Sequence, residues 1–154
     1  MALPDPSFQL RENLRKATIK YLSQYFGVFY KWGGDDPSGW DCSGLVIEGL
    51  TAVGILPHSF DDTAQGLYLR FKNYKLPEDE KPYMGCLVFQ FRDGKAIHVE
   101  MMIDDLHTIG SSGGGSKTNT REDAIKHNAF VKMRPYNYRG MNIKIIDPFK
   151  AAYK

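Results

Sequence analysis

The sequence predicts an α+β fold, with N-terminal helices packed on an antiparallel sheet. Three observations lead there. Apolar residues recur at three-to-four spacing within residues 8–26, 42–53 and 62–71. From Leu87 onward the pattern changes to short runs broken by Asp-Gly, Asp-Asp and Gly-Gly-Gly turns. Helix-like and strand-like segments do not alternate as βαβ units, so helices and strands are segregated.

Residues 8–26 read as the first helix. Leu10, Leu14, Ala17, Tyr21 and Tyr25 fall on one face, and Leu22 and Phe26 widen it. Ser7 offers a cap and Gly27 a stop. Residues 27–41, rich in Gly, Asp, Pro and Trp, read as a loop. A second helix fits 42–53, with Leu45, Val46, Gly49, Leu50 and Val53 inward and Gly54 as its stop. A third fits 62–71, with Asp61 or Asp62 near its start and Ala64, Leu67, Tyr68 and Phe71 inward. The charged stretch 75–82 reads as a surface loop.

Leu87–Phe91 reads as a strand, Asp93-Gly94 as a hairpin turn, and Ala96–Ile103 as the returning strand. Asp104-Asp105 makes a second turn before a strand over His107–Ser111. Gly113–Gly115 is a flexible loop. Thr120 with Asp123 resembles a capping box for a short helix over 121–128. Val131–Arg134 reads as the last strand. On this reading residues 1–154 form a single domain with its core over about 8–139, and 140–154 are a C-terminal tail.

Composition narrows the function. Hydrophobic residues make up 42% of the 154 and charged residues 25%, enough to bury a core without staples. The net charge of +2 and the absence of a dense Lys/Arg run argue against nucleic acid. A weakly basic surface suits an anionic polymer such as cell wall. The two cysteines do not make a disulfide scaffold. The start MALPDPSFQL lacks the basic and apolar regions of a secretory signal. No apolar run approaches the roughly 20 residues of a membrane span. The expectation is synthesis in the cytoplasm, no membrane insertion, and delivery to any wall substrate by other means.

The densest chemical signal is Trp40-Asp41-Cys42-Ser43-Gly44, directly before the second helix. A helix N-terminus favours a thiolate, and its free N–H groups suit an oxyanion. A buried structural thiol is the alternative. His98, on a predicted strand, supplies the base that thiol chemistry needs, and the pairing follows the logic of papain-like enzymes.

The order of motifs resembles the NlpC/P60 family of cysteine peptidases. Val28-Phe29-Tyr30-Lys31-Trp32-Gly33-Gly34 precedes Asp41-Cys42-Ser43-Gly44-Leu45-Val46. Leu56-Pro57, Thr63-Ala64-Gln65, Gly85-Cys86-Leu87-Val88-Phe89 and Ile97-His98-Val99 follow in the family's order. The resemblance implies a papain-like fold, Cys42 as nucleophile, His98 as base and Tyr30 beside the nucleophile. It implies that Asp41 and Ser43 help bind a peptidoglycan stem peptide, as in γ-D-glutamyl endopeptidases. Locally, Asp41 could instead only cap the helix, Ser43 only satisfy a backbone N–H, and Tyr30 only pack as core.

Two positions depart from the pattern. Cys86 stands where the family has Asp, and its apolar neighbours mark it as a buried structural thiol. The family's third catalytic position, commonly His on the next strand, falls on Gly110, while Glu100 replaces the usual small residue two places after the base. In a strand, 98 and 100 share a face, and a turn centred on Asp105 sets 100 opposite 110. Glu100 is therefore the expected third catalytic member. His107 competes for the role, Ser111 and Ser112 are weaker choices, and the remaining alternative is no third residue, with His98 oriented by backbone or water. No cofactor or metal is expected, since His58 and His127 lack partners at ligand spacing.

The expected function is a cysteine endopeptidase cutting peptidoglycan stem peptides, as a phage lysin or tail-associated hydrolase that acts after lysis or within a virion. Phage tail or lysis proteins are the expected partners. The alternatives are a mainly structural tail-tip component, and an amide hydrolase or acyltransferase with a non-wall substrate.

Overall fold

The computed structural model describes residues 6–36 and 39–152. Helix α1 spans Pro6–Ser23. Proline suits a first helical turn, where its missing N–H is no loss. Ser7 therefore lies inside the helix rather than capping it. Part of the expected face holds, since Leu22 lies in the core and Leu14, Tyr21 and Tyr25 pack against it, but the buried side of the helix also takes in two polar residues. Arg15, Thr18 and Leu22 are buried, whereas Leu10 and Phe26 are exposed. The cause is a long-range ion pair. The Arg15 guanidinium donates to both oxygens of the fully buried Asp147, at 2.5 and 2.9 Å, and lies over the rings of Tyr83 and Phe149. Apolar periodicity carries no information about such a partner.

Helix α2, Cys42–Ala52, starts where expected. Its Leu45, Val46 and Leu50 are fully buried. Gly49 lets α1 approach, since a Cβ there would lie 2.9 Å from Leu22 Cγ. Gly54, at φ +82°, ends the turn that follows. Helix α3, Ala64–Phe71, is capped by Thr63 rather than by either aspartate. The Thr63 hydroxyl accepts from the Gly66 amide at 3.1 Å. A small ladder of β1, Asp35–Asp36, and β2, Gly39–Trp40, precedes α2.

The main sheet has five strands: β3 Leu87–Arg92, β4 Lys95–Met102, β5 His107–Ser112, β6 Phe130–Pro135 and β7 Ile143–Ile146. Their spatial order is β6-β5-β4-β3-β7, and every pairing is antiparallel. Asp93 and Gly94 both take positive φ, as a tight hairpin turn requires. Helix α4, Arg121–His127, connects β5 to β6 and carries the expected capping box of Thr120 and Asp123. Helix α2 packs on β4 and β5 around a core that includes Trp40, Phe89, Met101 and Ile109.

Val131–Arg134 is thus not the last strand, and the segment after 140 is not a tail outside the core. β7 pairs with β3 along its length, and Ile146, Asp147 and Phe149 are fully buried. Four strand residues give too short a pattern to read alone. The segment is held by the neighbouring β3 and by Arg15, both distant in sequence.

Candidate active site

The Gly-Gly loop and the Asp-Cys-Ser-Gly segment interlock. The Asp41 amide donates to the Gly34 carbonyl at 3.2 Å, and the Asp41 carboxylate caps α2 by accepting from the Gly44 amide at 2.6 Å. A Cβ on Gly44 would overlap the Gly34 carbonyl and lie 2.7 Å from Asp41 Oδ1. These contacts fix Cys42 at the first turn of the helix, where backbone N–H groups lack helical partners.

His98 faces Cys42 from β4. The pairing of β3 with β4 slips between Gln90↔His98 and Phe91↔Ala96, which leaves Ile97 as an extra residue. Such a bulge re-aims side chains, and here Ala96, Ile97 and His98 all border one cleft with Cys42. Burial opposes the imidazolium. The charge and hydrogen bond of the Cys42 sulfur, together with Glu100, outweigh that and push the His98 pKa up to about 9.

Glu100 lies behind His98. Its Oε2 is 2.6 Å from His98 Nε2 and accepts from the Tyr138 hydroxyl at 3.0 Å, and its Oε1 accepts from Thr108 at 2.5 Å. Burial opposes the carboxylate. The bonds from His98, Thr108 and Tyr138 overcome this and hold its pKa below the ordinary glutamate value. The expected vacancy at Gly110 is the space Glu100 uses, as a Cβ at 110 would lie 2.5 Å from Glu100 Cγ. The register Met101↔Ile109 and Met102↔Thr108 sets these positions opposite each other.

The competing third residues lie elsewhere. His107 sits beside the β4–β5 turn, its Nδ1 3.0 Å from Asp104 Oδ2. Ser111 donates to the Trp40 carbonyl at 2.6 Å. Ser112 joins the cluster indirectly, sharing a hydrogen bond of 2.8 Å with the Tyr138 hydroxyl.

The cleft has a volume of about 830 Å³. Tyr30, Trp32, Asp41, Cys42, Ser43 and His98 are among its walls, whereas Trp40 is buried in the core. Tyr30 is itself largely buried, and burial and the nearby Cys42 and Asp41 push its phenol pKa up. Gly114 packs on its ring so closely that any Cβ would overlap it, so the glycine loop borders the cleft. The Asp41 carboxyl is also pushed up, by burial first, against the Gly44 amide and the Ser43 hydroxyl that accompany it. Cys86 is fully buried, and burial pushes its thiol up to about 12.

Sequence reasoning missed Thr108, Tyr138 and Arg139. Thr108 shares the strand face of Gly110 by its two-residue spacing, which was a usable signal. Tyr138 and Arg139 lie in the connection after β6, where no pattern pointed to the site. Among the described residues, no group of three or more His, Cys, Asp or Glu side chains is placed to hold a metal. No helix of the described residues is long and apolar enough to cross a membrane.

Known proteins share this architecture. The P60 domain of an antigen from Mycobacterium avium subspecies paratuberculosis superposes with a TM-score of 0.66 at 23% identity, covering 91% of this chain and 98% of that one. The peptidoglycan hydrolase RipB from Mycobacterium tuberculosis gives 0.65 at 20% identity, covering 95% and 72%. An NlpC/P60 family protein from Bacillus cereus gives 0.63 at 22% identity, covering 83% and 37%. In sequence, a Mycobacterium tuberculosis protein named "Probable endopeptidase" is 43% identical over 53 residues, 34% of this chain but only 14% of that protein. The family model described as NlpC/P60 matches residues 27–135, which contain Cys42, His98, Glu100 and the whole of β3 to β6. The chain belongs to the NlpC/P60 family.

Proposed function

We propose that this protein is a cysteine endopeptidase that hydrolyses peptidoglycan stem peptides, with Cys42 as nucleophile, His98 as base and Glu100 as the third catalytic member. The observation that carries the reading is the Cys42–His98–Glu100 series, in which Cys42 at the α2 N-terminus and His98 line one cleft and the buried Glu100 carboxylate lies behind the imidazole. In the proposed mechanism the Cys42 thiolate attacks the peptide carbonyl. Backbone N–H groups at the start of α2 receive the oxyanion, and the His98 imidazolium protonates the leaving amine. Water, deprotonated by His98, then releases the acyl group from sulfur. Glu100 fixes the ring through Nε2, which leaves Nδ1 toward Cys42, and stabilises its charged form.

The substrate reading is supported by the family and by the cleft. Asp41 offers a carboxylate without a cationic partner among the described residues, and Tyr30 and Ser43 flank it. We assign these three to a free amino end of the stem peptide, with the bond after γ-D-glutamate as the scissile one. A phage lysin or tail-associated setting belongs to the same proposal, and finding the protein in purified virions or at lysis would test it. The activity is tested by digestion of purified cell walls. Wild-type protein should clear a wall suspension and Cys42→Ala should not. An intact wall together with a particle-assembly defect in the variant would favour a structural tail component instead.

A further inference from the structure

Arg139 lies in the connection between β6 and β7, beyond the segment matched by the family model. It lines the same cleft as Cys42. Two neutral hydroxyls fix it. Its Nε donates to Tyr138 at 2.8 Å, and one terminal nitrogen donates to Ser112 at 3.3 Å. Tyr138 is braced in turn by Glu100. Among the described residues no carboxylate lies within ion-pair distance of this guanidinium. Asp41, Asp61 and Asp62 also line the cleft, so it carries acidic groups together with an oriented cation.

We propose that Arg139 is a specificity-determining residue that binds a free carboxylate of the substrate, namely the α-carboxylate of a γ-linked D-glutamyl residue. This rests on the endopeptidase reading above and adds a selection to it. A γ-linked glutamate uses its side-chain carboxyl in the chain, which leaves the α-carboxylate free. A guanidinium pairs with that group through two parallel N–H bonds. The α-amide of the same residue has no charge and presents an NH2 donor in place of one acceptor. Arg139 therefore selects the acidic stem peptide over its amidated form, while Asp41 takes the amine.

The test is binding, measured by calorimetry on the Cys42→Ala protein so that nothing is turned over. The probes are L-alanyl-γ-D-glutamyl-L-lysine and the same tripeptide with its α-carboxylate amidated. The acidic form should bind about tenfold to a hundredfold more tightly, as a charge-assisted pair allows. Adding Arg139→Gln should abolish that preference, and Arg139→Lys should keep part of it. Equal affinities, binding of neither peptide, or a preference that survives Arg139→Gln overturns the proposal. Wall digestion by the wild-type protein is read separately. Digestion without a carboxylate preference removes Arg139 from the mechanism and leaves the endopeptidase standing. A carboxylate preference without digestion keeps the Arg139 site and removes the peptidase.

Discussion

Glu100 fills the space that a side chain at position 110 would need, with its Cγ 2.5 Å and its Oε2 2.8 Å from where a Gly110 Cβ would lie. The two positions exclude each other, so the carboxylate beside His98 can come from β4 only because β5 carries a glycine. Gly110→Ala should displace the carboxylate and lower kcat by about tenfold to a hundredfold, the usual cost of misplacing a catalytic group by an ångström. The exchange Glu100→Ala with Gly110→His places an imidazole on β5 in exchange for the carboxylate on β4. It should be more active than either single variant, a coupling that wall-digestion rates on the four proteins would measure.

The pH profile gives a second prediction. The Cys42 sulfur and Glu100 hold the His98 pKa up at about 9, so the imidazolium should persist until the pH rises through that value. Activity that depends on the thiolate–imidazolium pair should fall on the basic side near there. Glu100→Gln removes the charge but keeps the shape, and should move the basic limb to lower pH. Losing a hydrogen bond to a charged group should also reduce kcat by about tenfold to a hundredfold. His107→Ala should change little, because its partner is Asp104 at the turn. Rates for both variants across pH decide between Glu100 and His107.

The cysteines should react differently. Cys42 is partly exposed in the cleft, whereas Cys86 is fully buried with its thiol pushed up to about 12. Iodoacetamide near neutral pH should label Cys42 alone in the native protein, as peptide mapping would show. Cys86→Ser should retain most activity.

Asp147 should govern stability. It accepts from Arg15, Tyr83 and its own Phe149 amide, and it is fully buried. Asp147→Ala leaves the buried Arg15 guanidinium with only the half-buried Glu12 as an ion-pair partner, at 3.0 Å, and should cost up to about 3 kcal/mol of unfolding free energy, measurable by urea titration. The cleft residues are untouched, so activity should persist at temperatures where the variant remains folded.

The site was legible in the sequence where local rules operate. Asp41 reads as a cap, Cys42 as a helix start, and His98 and Glu100 as strand neighbours on one face, and each takes the expected place. The paired departure at 100 and 110 was readable because an antiparallel turn fixes the register across it. What escaped depends on contacts distant in sequence. The inward turn of Arg15, the strand Ile143–Ile146 and the bond from Tyr138 to Glu100 each involve a partner at least 38 residues away. Helical and strand periods describe which face of a segment is apolar. They do not say where a buried charge will find its counterpart.

Cys42-dependent cleavage of a stem peptide is read by mass spectrometry of the fragments released from purified peptidoglycan. Wild-type protein should release peptides whose new amino end follows γ-D-glutamate, and Cys42→Ala should release none. Fragments that appear equally with Cys42→Ala, or walls left uncut by the wild-type protein, would contradict the account.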